Sequence, residues 1–384
     1  MLGPLSSRLL TLFQFTRMAL VFTAISNLQA AYLLTAGHQA RSLDDLLHQL
    51  DPLIMLALAL ISIGLYGFGM SLNDIVDQRR DAQIAADRPL PSGRLDVRLA
   101  HLICVALACL AAGGSYILWK QLPMQVSPGV LTQGQITSEH VPGIFSSLIS
   151  KTLSTTSDAT AASGQVTSAQ AAVALVVLCG AMIVFYDVAG KYLVALGLLT
   201  LGLIRFSHSV IAEPLPVAGS PTLIHAVVLL VHITTISTIA YALERKRPSL
   251  TGPHVLIVAM GVLAVVLAVV ATRVRNVPAE LWAAHLGVTP AVFAPLLAAC
   301  VFAAIAYHRV KSQPDPRLAG KDLMLLGLLW LIVYDAAFVG ARVHWAAGLV
   351  LALFLPLAYA SVRVMRLWST FSRLAKAPDF IRAS

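Results

Sequence analysis

The chain has 384 residues, of which 58% are hydrophobic and only 12% charged, and its mean hydropathy is +0.80. A soluble domain carries about 25% charged residues, so this chain cannot cover a water-exposed surface, and it is too hydrophobic to be disordered. Its net charge of +9 follows the segment-by-segment pattern of membrane topology and is not the footprint of a nucleic-acid-binding protein.

The first residues place Arg8 and Arg17 on either side of a short apolar run. No polar cleavage region precedes the next run, so the segment does not read as a signal peptide. Apolar stretches then predict membrane helices near 18–37, 52–73, 99–119, 170–188, 192–212, 221–243, 255–272, 288–307, 322–341 and 345–365. Each is about as long as a helix crossing ~30 Å of hydrocarbon. Only Ala341–His344 separates the last two, so the count is nine or ten. With the N-terminus inside, most of the 27 Lys and Arg residues fall in inner segments, as the positive-inside rule requires. Both termini are therefore expected on the cytoplasmic side. The basic tail at 366–384 is inner, and the long Ser/Thr/Gly/Gln-rich loop at 120–169 is outer. Within that loop GIFSSLISKTL suggests a short surface helix. Cys104, Cys109, Cys179 and Cys300 sit in apolar runs with no CxxC pair, and read as small buried hydrophobes.

The second apolar run ends in Ser71-Leu-Asn-Asp-Ile-Val-Asp-Gln-Arg-Arg-Asp81. If the helix continues, with Asn73 as zero, Asp77 falls at about 40°, Asp81 at about 80°, Asp74 at about 100° and Arg80 at about −20°. Three carboxylates, an amide and a guanidinium then share one arc. Carboxylates so placed repel unless a cation lies between them, and hard oxygen donors beside a phosphate suit Mg²⁺. The alternative is a solvated, charged helix end. Asp87-Arg-Pro-Leu-Pro-Ser-Gly93 follows. Its two prolines and glycine make a rigid turn that brings Arg88 back toward the carboxylates, where a guanidinium can hold a phosphate.

Phe185-Tyr-Asp-Val-Ala-Gly-Lys191 closes the fourth span. Lys191 at the inner mouth is suited to neutralise a phosphate, or is an ordinary inner lysine beside the interfacial Tyr186. Asp187 is a metal ligand, a partner of Lys191 or a surface acid. Gly202-Leu-Ile-Arg-Phe-Ser-His208 puts Arg205 and His208 inside the fifth span. A charge there needs a partner or a cavity, so Arg205 reads as a pocket residue. His208 is either a second pocket residue or a hydrogen-bonding partner of a neighbouring helix. Asp335, late in the ninth span, faces a bundle interior in the outer half, away from the carboxylates.

NDIVDQRRD followed by DRPLPSG resembles the first aspartate-rich motif of the UbiA superfamily of intramembrane prenyltransferases, NDxxDxxxD with RPxxxG just after it. Asn73, Asp74, Asp77, Asp81, Arg88, Pro89 and Gly93 occupy all its fixed positions. The resemblance implies that Asn73, Asp77 and Asp81, supported by Asp74, hold Mg²⁺ and through it an isoprenyl diphosphate, with Asp77, Asp81 and Lys191 as the catalytic set. Tyr186 and Lys191 are similar to the family's YxxxK motif, one residue further apart. The implied fold is an all-α polytopic bundle of nine or ten transmembrane helices around a central, laterally open cavity, one domain over 1–384. The implied reaction joins the isoprenyl group to an unidentified membrane-soluble acceptor.

The sequence departs from the pattern after the sixth span. In Thr238-Ile-Ala-Tyr-Ala-Leu-Glu-Arg-Lys-Arg-Pro-Ser-Leu-Thr-Gly252 only Glu244 is acidic, where the family has DxxxD. Either one metal suffices, or Arg245, Lys246 or Arg247 takes part of the diphosphate charge. With YDxxxK and GLxR, this resembles the divergent EboC-like branch. The landmarks cover about residues 15–252. A non-enzymatic membrane carrier for a polar or isoprenoid lipid is the alternative that the incomplete second motif keeps open.

Overall fold

The computed structural model describes residues 4–37, 40–122, 168–213, 222–276 and 290–374, and every regular element among them is helical. The outer-loop helix expected within 120–169 and the end of the basic tail lie outside the described residues. Helix α1 (Pro4–Phe15) leads into a 3₁₀ turn (Met18–Leu20) and α2 (Val21–Ala36). A short α3 (Leu43–Gln49) precedes α4 (Pro52–Val76), which is followed by α5 (Gln78–Ile84) and α6 (Val97–Gln121). Then come α7 (Ser168–Val188), α8 (Val194–Val210), α9 (Thr222–Leu243) and α10 (Gly252–Asn276). The chain continues with α11 (Pro290–Ser312), α12 (Pro316–Arg342), α13 (Trp345–Ala352) and α14 (Phe354–Leu374).

Nine stretches among the described residues are long and apolar enough to cross a membrane, the last running through α13 and α14 from Trp345 to Trp368. The chain is thus an all-α, multi-pass membrane protein. The fifth predicted span is α8, a shorter apolar helix of 17 residues, still within the lower range for a span. Helix starts follow local capping chemistry. Asp51 accepts from Leu53 N at 2.7 Å, Asp96 from Arg98 N at 2.8 Å and Asp315 from Arg317 N at 2.9 Å. In the first and third the next residue is proline, which fits the first helical position. The Asp315 cap starts α12 at Pro316, six residues before the stretch that hydropathy alone predicts.

The Met18–Ala36 stretch is the most enclosed, with 72% of its apolar window buried, and α9 follows at 56%, against 6% for Gly252–Ala271 of α10. In water this gradient would be costly. In a bilayer it separates a central group, α2, α4, α9 and α12, from lipid-facing helices. Cys109 and Cys300 also lie exposed on outward faces, whereas Cys104 and Cys179 are buried. The expectation of four buried cysteines is corrected accordingly: hydropathy places a residue in a span but not on an inner face of it.

Helices α4 and α6 pack almost backbone to backbone. A Cβ at Gly64 would lie 2.5 Å from the Ala111 nitrogen, and one at Gly114 2.7 Å from the Ala57 carbonyl. Small residues permit such an approach between membrane helices, and this contact fixes the helix that carries the acidic segment. At its end stand Arg17, the C-termini of α4 and α7, and the loop before α6, joined by ion pairs. Gly320 at the start of α12 packs on Glu244 at the end of α9, and Arg366 of α14 reaches Asp322 at 4.0 Å.

Candidate functional site

The acidic segment is a helix interrupted at one residue. Asp77 leaves helical geometry (φ −83°, ψ 1°) and separates α4 from α5, yet Asp77 N still bonds Asn73 O at 2.9 Å and Asp81 N bonds Asp77 O at 2.8 Å. The near-continuous ladder keeps Asp74, Asp77 and Asp81 on one buried side, each under 10% exposed. Arg79 and Arg80 are exposed. Continuous-helix arithmetic puts Arg80 on the same arc, but among the described residues it is exposed and forms no ion pair with the three carboxylates, whose partners are Arg17, Arg88 and Lys191.

Each of the three carboxylates meets a cation. Arg17 donates from Nη2 to Asp74 Oδ1 at 2.9 Å. Arg88 bonds Asp81 through Nη1 and lies 3.6 Å from Asp74. Lys191 Nζ donates to Asp77 Oδ1 at 2.8 Å, with side-chain exposures of only 9% and 11%. Charge-assisted bonds of this kind are roughly twice as strong as neutral ones.

The local sequence builds each cation's position. Arg88 stands on a loop pinned by Arg94, which donates to Asp87 O, to Ser92 Oγ at 3.0 Å and to Gln14 Oε1 of α1 at 3.2 Å. Beneath it Leu90 and Leu95 pack with Phe15 and Ala100. Gly93 turns the loop at φ 70°, where a side chain would be strained. Burial lowers the pKa of Arg94, opposed by Asp87, yet guanidinium stays charged at any ordinary pH.

Lys191 sits in the 3₁₀ turn Gly190–Tyr192 between α7 and α8, closely packed because Gly197 approaches the Gly190 carbonyl. Asp187, one turn earlier in sequence, is buried at 3%. Tyr186 is half-buried beside it, at the same mouth.

Arg17 is the residue that sequence reasoning missed. It adopts a left-handed conformation (φ 49°, ψ 35°) in the turn after α1 and is braced by Tyr66, whose hydroxyl donates to the Arg17 carbonyl at 3.2 Å. Such a backbone costs about 1–3 kcal/mol and persists only where the surroundings enforce it. Burial opposes the Arg17 charge, but Asp74, Tyr66 and Asp81 outweigh it and hold its pKa above the ordinary arginine value. The side chain is nevertheless 38% accessible. Nothing linear in the sequence pairs Arg17 with an aspartate 57 residues away.

Arg205 and His208 lie elsewhere, in the bundle interior. Arg205 bonds Thr23 Oγ1 at 3.4 Å, and His208 bonds Asn27 Oδ1 at 2.9 Å and Ser62 Oγ at 3.3 Å. This network ties α8 to α2 and α4. Glu244 bonds Lys246 at 3.2 Å and packs on Gly320, and among the described residues it pairs with none of Arg17, Arg88 and Lys191. Arg245, Lys246 and Arg247 are exposed. They flank Tyr241, which lies within electrostatic reach of both Arg80 and Tyr186. An apolar groove of about 490 Å³ runs between α4, α6 and α7, lined by Leu65, Phe68, Ala111, Tyr116, Trp119 and Val176. No site carboxylate lines it.

The donors suit a hard cation by chemistry, but this arrangement is not a metal cage. No three Asp, Glu, His or Cys side chains converge on one point among the described residues, and Asp74, Asp77 and Asp81 are taken by Arg17, Lys191 and Arg88. Without rearrangement the site offers three cations, two of them partly exposed, to an anion.

Residues 45–131 match the UbiA prenyltransferase family. The matched stretch spans α4, α5 and the loop carrying Arg88, and it ends before Lys191 and Glu244. No curated protein matches the chain. Among solved structures, the chain is similar to a digeranylgeranylglyceryl phosphate synthase at 14% identity, with a TM-score of 0.49, over 88% of this chain and 99% of that one. A UbiA homolog from Archaeoglobus fulgidus, solved with Mg²⁺ and either DMAPP or GPP, aligns at 10% identity with a TM-score of 0.40, over 92% of this chain and 99% of that one.

Proposed function

We propose that this chain is a UbiA-type intramembrane prenyltransferase, close to the EboC-like branch, that moves an isoprenyl group from an isoprenyl diphosphate to a membrane-soluble acceptor. The observation that carries the reading is the meeting of Asp74, Asp77 and Asp81 with Arg17, Arg88 and Lys191 at one bundle mouth, inside and beside the segment that matches the family. The whole chain acts as one unit with this mouth, and both termini, on the cytoplasmic side.

Arg17, Arg88 and Lys191 hold the diphosphate oxygens. The C–O bond to C1 breaks with its electron pair going to the diphosphate, and the three cations stabilise that charge as it grows. The allylic C1 takes up cation character, the acceptor's nucleophile bonds to it, and the proton that the acceptor loses passes to the released diphosphate. Apolar helices surround the path and exclude water, which would otherwise capture the cation. Mg²⁺, carried on Asp77 and Asp81 with Asn73 and Asp74 in support, would supply further charge neutralisation at the diphosphate. Tyr186 and Asp187 lie beside Lys191 to orient it, and Arg80, Arg245 and Arg247 form an exposed cationic rim that attracts the anionic substrate. Glu244 is the remnant of the second motif. Arg205 and His208 hold the helices behind the site.

The test is turnover. Purified protein in nanodiscs is incubated with Mg²⁺, a membrane extract as acceptor source and radiolabelled farnesyl or geranylgeranyl diphosphate. Labelled lipid and released diphosphate are the expected products. No release with either chain length and any extract overturns the reading, and tight binding without release favours a carrier.

A further inference from the structure

The carboxylates that the aspartate motif offers to a metal are already neutralised by the protein. Asp77 is bonded to Lys191 at 2.8 Å and Asp74 to Arg17 at 2.9 Å, while Asp81 is bonded to Arg88. Two of the cations come from far along the chain: Arg17 is 57 residues from Asp74 and Lys191 is 114 from Asp77. The pairs are therefore set by tertiary packing and are not incidental neighbours on one helix. The Lys191–Asp77 pair is nearly closed off, whereas the Arg17 and Arg88 side chains keep 38% and 36% of their surface accessible.

Resting on the prenyltransferase reading, we propose that the site takes its divalent cation only together with the diphosphate, by exchange of ion pairs. In the resting state Arg17, Arg88 and Lys191 fill the role of the metal. A bare divalent cation finds carboxylates whose charge is already spent, and to reach them it must separate partners that then stand unpaired in a confined site. A diphosphate changes this. Its oxygens accept bonds from the two partly exposed guanidiniums and from Lys191, and the carboxylates they release become free to ligate. Magnesium is characteristically held by one or two carboxylates together with substrate phosphates and not by an all-protein cage. The diphosphate thus unlocks the site, and Asp77 and Asp81 are the residues that would then hold the metal. Asp187, buried on α7, adds a carboxylate at the same mouth, but a single carboxylate is a weak site for a hard cation.

The proposal predicts a gain of function on removing a cation. A neighbouring cation shifts a carboxylate's proton affinity about ten- to thousandfold, and a metal ion responds to the same potential. Equilibrium dialysis of the full chain in nanodiscs is run with Mn²⁺ alone, with methylenediphosphonate alone and with both. The parent should retain little Mn²⁺ alone and should retain Mn²⁺ and diphosphonate together in near-equal amounts. Lys191→Met and Arg88→Met should each bind Mn²⁺ alone at least about tenfold more tightly than the parent, and bind diphosphonate more weakly. Lys191→Arg, which keeps the charge, should stay like the parent. A thermal melt guards against misfolding, since Mn²⁺ alone should raise the melting temperature of Lys191→Met and leave the parent unmoved. Parent protein that binds Mn²⁺ alone as tightly as with diphosphonate overturns the exchange and leaves the prenyltransferase reading standing. Unchanged Mn²⁺ affinity in both charge-removing variants does the same. Parent protein that retains diphosphonate under no condition overturns the reading beneath it.

Discussion

Asp77→Asn tests whether the acidic segment is a repulsive cluster or a set of ion pairs. From sequence, removing one of three crowded carboxylates should relieve repulsion and stabilise the metal-free protein slightly. The structure reverses that sign. Asp77 is 2.8 Å from Lys191 Nζ, and the two side chains are only 11% and 9% exposed, too enclosed for water to replace the lost partner. Breaking a buried pair from one side costs about 3–5 kcal/mol. Asparagine keeps an oxygen that can accept from the ammonium, and a hydrogen bond to a charged group returns about 1.5–3 kcal/mol. The net expectation is a loss of roughly 2 kcal/mol. Chemical unfolding in detergent reads it for Asp77→Asn, Lys191→Met and the double variant. The double variant should be less destabilised than the sum of the singles, because it leaves no lone charge. Asp96→Asn is the control, since asparagine caps a helix as well as aspartate does. Asp77→Asn protein as stable as the parent or more so, or simple additivity in the cycle, refutes the ion-pair account. Turnover should also fall, because the variant loses a carboxylate that the reaction is proposed to use.

Gly64→Leu should greatly reduce the folded fraction recovered by size exclusion, because its Cβ alone would sit 2.5 Å from a backbone nitrogen of α6. Gly113→Ala, which meets nothing within 4 Å, should be neutral or stabilising by up to about 1 kcal/mol. Arg94→Met should speed proteolysis of the 85–96 loop and weaken diphosphate binding while the bundle stays folded, since its three bonds hold the loop that presents Arg88. Equal proteolysis of parent and variant would show that the loop is held some other way. Glu244→Gln should cost less than about 1 kcal/mol of stability, because its partner Lys246 is 45% exposed. A severe loss of turnover without loss of stability would instead place Glu244 in the reacting site.

The spans were legible because hydropathy is a local property. Ten apolar runs became ten helical stretches, although α12 starts at Pro316, behind its Asp315 cap and ahead of the predicted 322–341 run. The acidic segment was legible for the same reason: a fixed turn per residue puts Asp74, Asp77 and Asp81 on one side, and a two-proline loop returns Arg88 to them. Helical arithmetic did not predict that Arg80 stays exposed and, among the described residues, pairs with none of the three carboxylates; α4 ends at Val76 and the helix is interrupted at Asp77. The tertiary structure alone decided what neutralises the carboxylates. Arg17 and Lys191 reach Asp74 and Asp77 across 57 and 114 residues, and Glu244 pairs with its neighbour Lys246 instead. A charge's sequence neighbours fix how many partners lie nearby. Which distant cation it meets depends on how the helices pack, and here that depends on contacts such as Gly64 against Ala111, whose meaning exists only once α4 and α6 lie side by side.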